Sequence, residues 1–257
     1  MLEVRGLHKQ FGGVTAVNNL DLDVGEGELL GLIGPNGAGK TTVFNLVTGF
    51  LRPTRGKVVF AGRDLTGKST HVIAKAGLAR TFQMSNVFRA LTVLENVVAG
   101  AHLTCDVNFL ECLFHTPSGR RKCIGTLDLA EEVLSFVGLE ELKNVQAAAL
   151  PHGHKRILGI AIALAAKPKL LLLDEPLSGM NAAEVDEAVA LITKIWQSGT
   201  TILLIEHNMR AAMALSQRIT VLEMGTKIAE GTPAEIKADD RVIEAYLGAK
   251  ARAAKTQ

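Results

Sequence analysis

The segment Gly34-Pro35-Asn36-Gly37-Ala38-Gly39-Lys40-Thr41 fits the pattern Gly-x-x-x-x-Gly-Lys-Ser/Thr. Glycines at these spacings let the backbone curl so that successive N–H groups point inward, where phosphate oxygens can accept from them. A helix starting directly after the loop adds its partial positive charge at the same place. Lys40 can then reach the outer phosphates, and the Thr41 hydroxyl is suited to hold Mg²⁺. The competing reading is a chance glycine-rich turn. An apolar run ending at Ile33 before the loop, and a helical pattern after it, supply the context that a chance turn lacks.

A second group is Leu170-Leu171-Leu172-Leu173-Asp174-Glu175-Pro176, an apolar strand ending in two carboxylates. Such a strand delivers Asp174 to the C-terminal edge of a sheet, where α/β proteins bind ligands. Asp174 is the expected Mg²⁺ holder, acting through water, and Glu175 the general base or water-orienting group for hydrolysis. Alone, the pair reads equally well as a solvated turn before proline. Thr201 to Glu206 is another apolar strand, ending in Glu206-His207-Asn208. A neutral histidine can donate one hydrogen bond and accept another, so His207 is a candidate bridge between phosphate and water.

These residues need a sheet edge to meet. Strands are expected at Leu2–Leu7, Leu29–Gly34, Lys57–Ala61, Leu170–Asp174, Thr201–Glu206 and Ile219–Glu223. The continuous apolar runs among them suit strands buried on both faces of a parallel sheet. Val43, Phe44, Leu46, Val47, Phe50 and Leu51 repeat at helical spacing, as do Val185, Val189, Ile192 and Trp196. Met224-Gly225-Thr226 reads as a turn joining two short strands. Strands alternating with helices predict an α/β fold. The stretch from about Asn86 to Val145 has helical patterns and few strand runs, and reads as an insertion. The last residues, Ala249 to Gln257, read as a frayed basic tail.

Composition limits the alternatives. Lys and Arg number 28 and Asp and Glu 26, a formal net charge of +2, which argues against nucleic acid as the main partner. The mean hydropathy of +0.22 is high for a soluble chain, yet Lys167, Pro168 and Lys169 interrupt the most apolar stretch, so no membrane span is expected. Met1 leads straight into the alternating Leu2-Glu3-Val4-Arg5, and no signal peptide is expected. Cys105, Cys112 and Cys123 lack metal spacing and fit reduced thiols in a cytoplasm. An apolar soluble chain often covers surface against a partner.

In this order, the motifs resemble the ATP-binding cassette (ABC) family over essentially the whole chain. The resemblance implies an α/β P-loop NTPase core, a small antiparallel β subdomain and a helical insertion at about 86–165, within one domain spanning 2–248 followed by a basic tail at 249–257. It implies Walker A at Gly34, Pro35, Asn36, Gly37, Ala38, Gly39, Lys40, Thr41 and Thr42, and Walker B at Leu170–Asp174. Glu175 is then the catalytic glutamate, His207 the switch histidine, and Leu177–Asn181 the D-loop. Gln83, in Arg80-Thr81-Phe82-Gln83, matches the Q-loop glutamine, a catalytic residue that also joins Thr41 and Asp174 around Mg²⁺. Phe11 matches the aromatic that stacks on adenine, and Val17 belongs to the same nucleotide contact set.

The chain is most similar to the ATPase subunits of Liv-type, branched-chain amino-acid importers. Phe11-Gly12-Gly13-Val14-Thr15-Ala16-Val17, Gly77 to Gln83, Ile205 to Met209, and Val242-Ile243-Glu244-Ala245-Tyr246-Leu247-Gly248 carry that similarity. The family signature, usually Leu-Ser-Gly-Gly-Gln, stands here as Leu150-Pro151-His152-Gly153-His154, with a helix expected from near Lys155. It should contact the γ-phosphate held by a second subunit, although Pro151 offers neither hydroxyl nor N–H.

The implied function is an ATP-binding and ATP-hydrolysing importer subunit, with ATP and Mg²⁺, a second ATPase subunit, two transmembrane permease subunits and, indirectly, a periplasmic substrate-binding protein. It would sit in the cytoplasm against the inner face of the membrane, without nucleic acid. Branched-chain or related amino acids are the expected cargo, with urea, amides or aromatic acids as alternatives. A non-transport ATPase acting on nucleic acid or ribosomes is the other class. It usually carries two cassettes or a long coiled coil, neither of which is present. An ordinary P-loop kinase leaves Glu175 and His207 without a role.

Overall fold

The computed structural model describes residues 1–81, 87–101 and 117–254. Strands β1 (Leu2–Phe11), β2 (Val14–Val24), β4 (Arg55–Phe60) and β5 (Arg63–Asp64) form an antiparallel sheet in the order β2-β1-β4-β5. Strands β3 (Leu29–Ile33), β6 (Leu78–Arg80), β7 (Leu170–Asp174), β8 (Thr201–Ile205), β9 (Arg218–Glu223) and β10 (Thr226–Gly231) form a second sheet, ordered β10-β9-β3-β8-β7-β6. It is parallel except where β10 returns antiparallel to β9 across Met224-Gly225. The expected α/β core and its small antiparallel companion are both present.

The apolar runs are explained by two cores, one on each face of the parallel sheet. Leu170 and Leu172 of β7 and Leu203 and Ile205 of β8 point toward the antiparallel sheet, joining Leu2, Val4, Leu20 and Phe60. Their neighbours Leu171, Leu173, Ile202 and Leu204 point the other way, into the helices. Successive strand side chains alternate faces, so a strand with no solvent face must be apolar throughout.

Helix α1 (Lys40–Val47) follows the phosphate loop, and α2 (Thr70–Lys75) precedes β6. Between β6 and β7 the described residues form α3 (Val93–Gly100), α4 (Pro117–Val137) and α5 (His152–Ala165), which pack through Val93, Val97, Ala130, Leu134 and Leu158. The expected helical insertion is thus seen in its described part. Helix α6 (Ala182–Gln197) starts at a capping box in which Asn181 Oδ1 accepts from the Glu184 amide and Glu184 Oε2 from the Asn181 amide. Helices α7 (Met209–Leu215), α8 (Pro233–Ala238) and α9 (Asp240–Ala254) complete the chain.

Three expectations shift. β2 was not anticipated, because Asn18-Asn19 breaks its alternation, and Asn19 adopts a left-handed φ of 49°. Helix α5 begins at His152, three residues before the expected start, so His152-Gly153-His154 is its first turn. The segment expected to fray is helical as far as Ala254. Among the described residues, no helix is long and apolar enough to cross a membrane.

Candidate active site

Two glycines of the loop between β3 and α1 sit where a Cβ would collide with backbone. A Cβ on Gly34 (φ 151°) would lie 2.1 Å from the Leu222 carbonyl oxygen, and one on Gly39 (φ 99°) would lie 2.4 Å from that of Ala16. The loop is therefore wedged between β9 and β2, and Gly225 clamps it through its amide to the Ala38 carbonyl at 3.0 Å. Lys40 lies folded over the loop, its Nζ donating to the carbonyls of Gly34 at 2.8 Å and Pro35 at 3.0 Å. Burial lowers the Lys40 pKa, while the nearby charges of Glu175 and Asp174 act against that shift. Among the described residues, no backbone acceptor takes the amides of Gly37, Gly39, Lys40 or Thr41. A ring of free N–H groups around an ammonium is the donor set that a phosphate chain requires.

Asp174 ends β7 with its side chain 1% exposed, and its Oδ2 accepts from Arg80 Nη2 at 2.7 Å. Its Oδ1 is buried with no partner. Burial raises the Asp174 pKa, and Arg80 pulls it back. An orphaned carboxylate oxygen beside the free loop suits an ion with water ligands, such as Mg²⁺. Thr41, which would join it, is exposed at the start of α1.

Glu175 follows at φ 47°, a left-handed conformation that costs a non-glycine residue about 1–2 kcal/mol. The Glu175 amide, bonded to the Ile205 carbonyl at 2.9 Å, holds it there. Its Oε2 lies 3.6 Å from His207 Nδ1, longer than a hydrogen bond. Glu175 and His207 thus face each other across the ends of β7 and β8.

Two cations escaped the sequence reading. Arg80 bonds Asn45 Oδ1 at 2.6 Å and Asp174, and its guanidinium lies over the Phe44 and Phe50 rings. The signal was its place beside Thr81 at a strand end, but nothing in the spacing names its partner. Arg156, on α5, has its pKa lowered by burial, with Glu175, Glu206 and Asp174 opposing the shift. The acidic cluster therefore has Lys40 and Arg156 within its electrostatic range.

The other expected residues divide. Phe11 is 45% exposed, at the tip of the β1–β2 hairpin with Lys9 Nζ 4.9 Å from its ring centroid. Val17 is fully buried and contributes packing beneath the loop, with no surface left to touch a ligand. In the signature segment, Leu150 is buried and Pro151 occupies the N-cap of α5 with no capping side-chain bond. Gly153 is buried, and a Cβ there would lie 2.7 Å from Glu184 Oε1. The His152 ring packs against Gly179, within 3.1 Å of where a Cβ on Gly179 would be. His154 is half-buried on the first turn. Gln83 lies outside the described residues, as do Cys105 and Cys112.

The Tyr246 hydroxyl of α9 is buried with no partner of hydrogen-bonding geometry, facing the Gly34 amide. Burial pushes its pKa up to about 12.

A family model described as ABC transporter matches residues 17–178, and one described as Branched-chain amino acid ATP-binding cassette transporter matches 226–252. The high-affinity branched-chain amino acid transport ATP-binding protein BraF of Pseudomonas aeruginosa is 43% identical, over 96% of this chain and 98% of its own length. LivG of Salmonella typhimurium, with the same printed function, is 45% identical over the same shares. The lipopolysaccharide export ATP-binding protein LptB of Haemophilus influenzae is 34% identical over 96% of this chain and 97% of its own. A nucleotide-free ATP-binding cassette from an ABC transporter superposes with a TM-score of 0.83 at 30% identity, covering 96% of this chain and 98% of that one. With the free phosphate loop, the orphaned carboxylate oxygen and the strained glutamate meeting at one sheet edge, these matches make the chain a member of the ATP-binding cassette family, an ATPase of the ABC transporter type.

Proposed function

We propose that this chain hydrolyses ATP to drive uptake of branched-chain or related amino acids through separate transmembrane subunits. The observation that carries the hydrolytic part is Glu175, held in a strained backbone conformation 3.6 Å from His207. The loop amides, Lys40 and the N-terminus of α1 bind the triphosphate. Phe11 offers a face to the base. Glu175 accepts the proton of the attacking water, and His207 orients that water against the γ-phosphate. Mg²⁺, held by Asp174 through water and by Thr41 and Gln83, would neutralise charge developing on the phosphate oxygens.

In this reading the chain works as a dimer with an identical or paralogous cassette, each signature segment completing the partner's site. It binds two permease subunits at the inner face of the membrane, and a periplasmic binding protein supplies the substrate. The 43–45% identity to branched-chain transport proteins supports the cargo. The 34% identity to a lipopolysaccharide exporter's cassette shows why cargo has to be measured.

The test is to purify the chain from its native membrane with whatever co-purifies, reconstitute it in vesicles and follow labelled leucine. Expected are permease subunits and ATP-driven uptake that stops in Glu175→Gln. Recovery with ribosomes or nucleic acid, and no membrane protein, would support the non-transport class instead.

A further inference from the structure

Glu206 lies next to His207 but has no part in the chemistry above. Its carboxylate is fully buried, and among the described residues its hydrogen bonds all come from backbone amides, with His207 Nδ1 3.9 Å from Oε2. Oε1 accepts from the Leu177 amide at 3.0 Å, and Oε2 from the amides of His207 at 3.2 Å and Asn208 at 3.3 Å. Leu177 belongs to the turn after Glu175, and His207 and Asn208 to the turn after β8. One anion therefore holds two loops from different strands by their backbones. The Glu175 amide, bonded to Ile205, makes a second tie between the same two strand ends.

We propose that Glu206 is a positioning residue for hydrolysis, which fixes the Glu175–Asn181 turn and the His207 loop relative to each other. The inference rests on the ATPase reading and adds a part to it. The chemistry requires a carboxylate. Three N–H groups converge on it, and an ionised carboxylate has about four acceptor sites and no donor. Glutamine has one acceptor oxygen, and its NH₂ would face an N–H it cannot satisfy. Burial of the charge, and Glu175 nearby, raise the Glu206 pKa. The Leu177 and Asn208 amides and the facing His207 lower it. Arg156 of α5 lies within electrostatic range of the same group. A carboxylate kept in so costly a place, accepting from the amides of two catalytic loops, matches a role in setting their geometry.

The test uses the ATP-hydrolysing protein as purified. In Glu206→Gln, kcat should fall about tenfold or more while ATP affinity stays within about twofold, because the amides that Glu206 holds belong to the Leu177 and His207 turns and not to the phosphate loop. Because Glu206 sets the His207 loop against the Glu175 turn, adding His207→Ala to Glu206→Gln should cost clearly less than the sum of the two single losses. Should Glu206→Gln not accumulate as folded protein, Glu206→Asp is read for the same split, since it keeps the charge but withdraws the oxygens by one methylene. Unchanged kcat in the folded variant, equal losses in kcat and ATP affinity, or full additivity with His207→Ala would overturn the proposal. A wild-type protein that stays inactive when purified together with its partner cassette and permease subunits overturns the ATPase reading itself, and this inference with it.

Discussion

Arg80 and Asp174 form an ion pair sealed inside the protein, with side chains 6% and 1% exposed and 2.7 Å between Nη2 and Oδ2. Arg80 ends the edge strand β6 and Asp174 ends its neighbour β7, so the pair joins the start of the helical insertion to the nucleotide site. Removing one partner of such a pair leaves an unpaired buried charge, which costs about 3–5 kcal/mol. Arg80→Ala should therefore lower the urea midpoint by a corresponding amount. Arg80→Lys should recover only part of it, because lysine cannot bond Asn45 and Asp174 at once with a planar fork. Equal stability of Arg80→Ala and wild type would show that the pair is not sealed.

Lys40 gives a prediction of opposite sign. Its folded pKa is depressed by burial. A depressed group contributes stability that is present above its unfolded pKa, near 10.5, and lost as pH falls through the folded value. At pH 7 the buried ammonium is therefore a cost to the nucleotide-free protein. Lys40→Met should melt at the same temperature as wild type or higher without nucleotide. Only wild type should gain from Mg-ATP, by about 2.7 kcal/mol at one hundred times Kd. Thermal melts with and without nucleotide read both effects.

Glu175→Gln keeps the side-chain shape and loses the proton acceptor. ATP binding should persist, hydrolysis should fall by about 10²-fold or more, and an ATP-bound dimer should accumulate on size-exclusion chromatography. Near-normal turnover would pass the role of base to another group, His207 first.

Gly153 is held by contact as well as by the signature pattern. A Cβ there would press on Glu184 Oε1, and Glu184 caps α6 through Oε2. Gly153→Ala should cost about 0.5–2 kcal/mol by disturbing that cap, and little in a Glu184→Ala background. An equal cost in both backgrounds would place the strain elsewhere.

Pro151 leaves the first amides of α5 uncapped. Its ψ of 160° is already that of an N-cap, so Pro151→Ser should stabilise the protein by about 1 kcal/mol. If the proposed dimer places this segment at the partner's nucleotide, the added hydroxyl should also tighten the ATP-bound dimer in a Glu175→Gln background. A melting temperature below wild type would show that proline's fixed φ outweighs the cap.

The sequence by itself determined the phosphate loop, the acidic strand end and the parallel strands. Each is written in consecutive residues whose glycines, charges or apolar runs have few other physical uses. Leu170 to Leu173 had to be buried on both faces, and Asp174 and Glu175 had to emerge at the edge. The sequence also resembled its family closely enough to name roles for Gln83, Phe11 and the signature. Only the tertiary structure decided which groups face each other. Arg80 reaches Asp174 across 94 positions, Glu206 reaches back to Leu177 across 29, and Tyr246 of the last helix lies against Gly34 of the phosphate loop. Such pairings depend on strand order and register, and no local pattern encodes them. The same holds for Val17, whose type suits contact with a base as well as core, and which burial assigns to the core. It holds as well for the start of α5, where a proline and two histidines give a weak local signal and packing against Gly179 and Glu184 fixes the first turn.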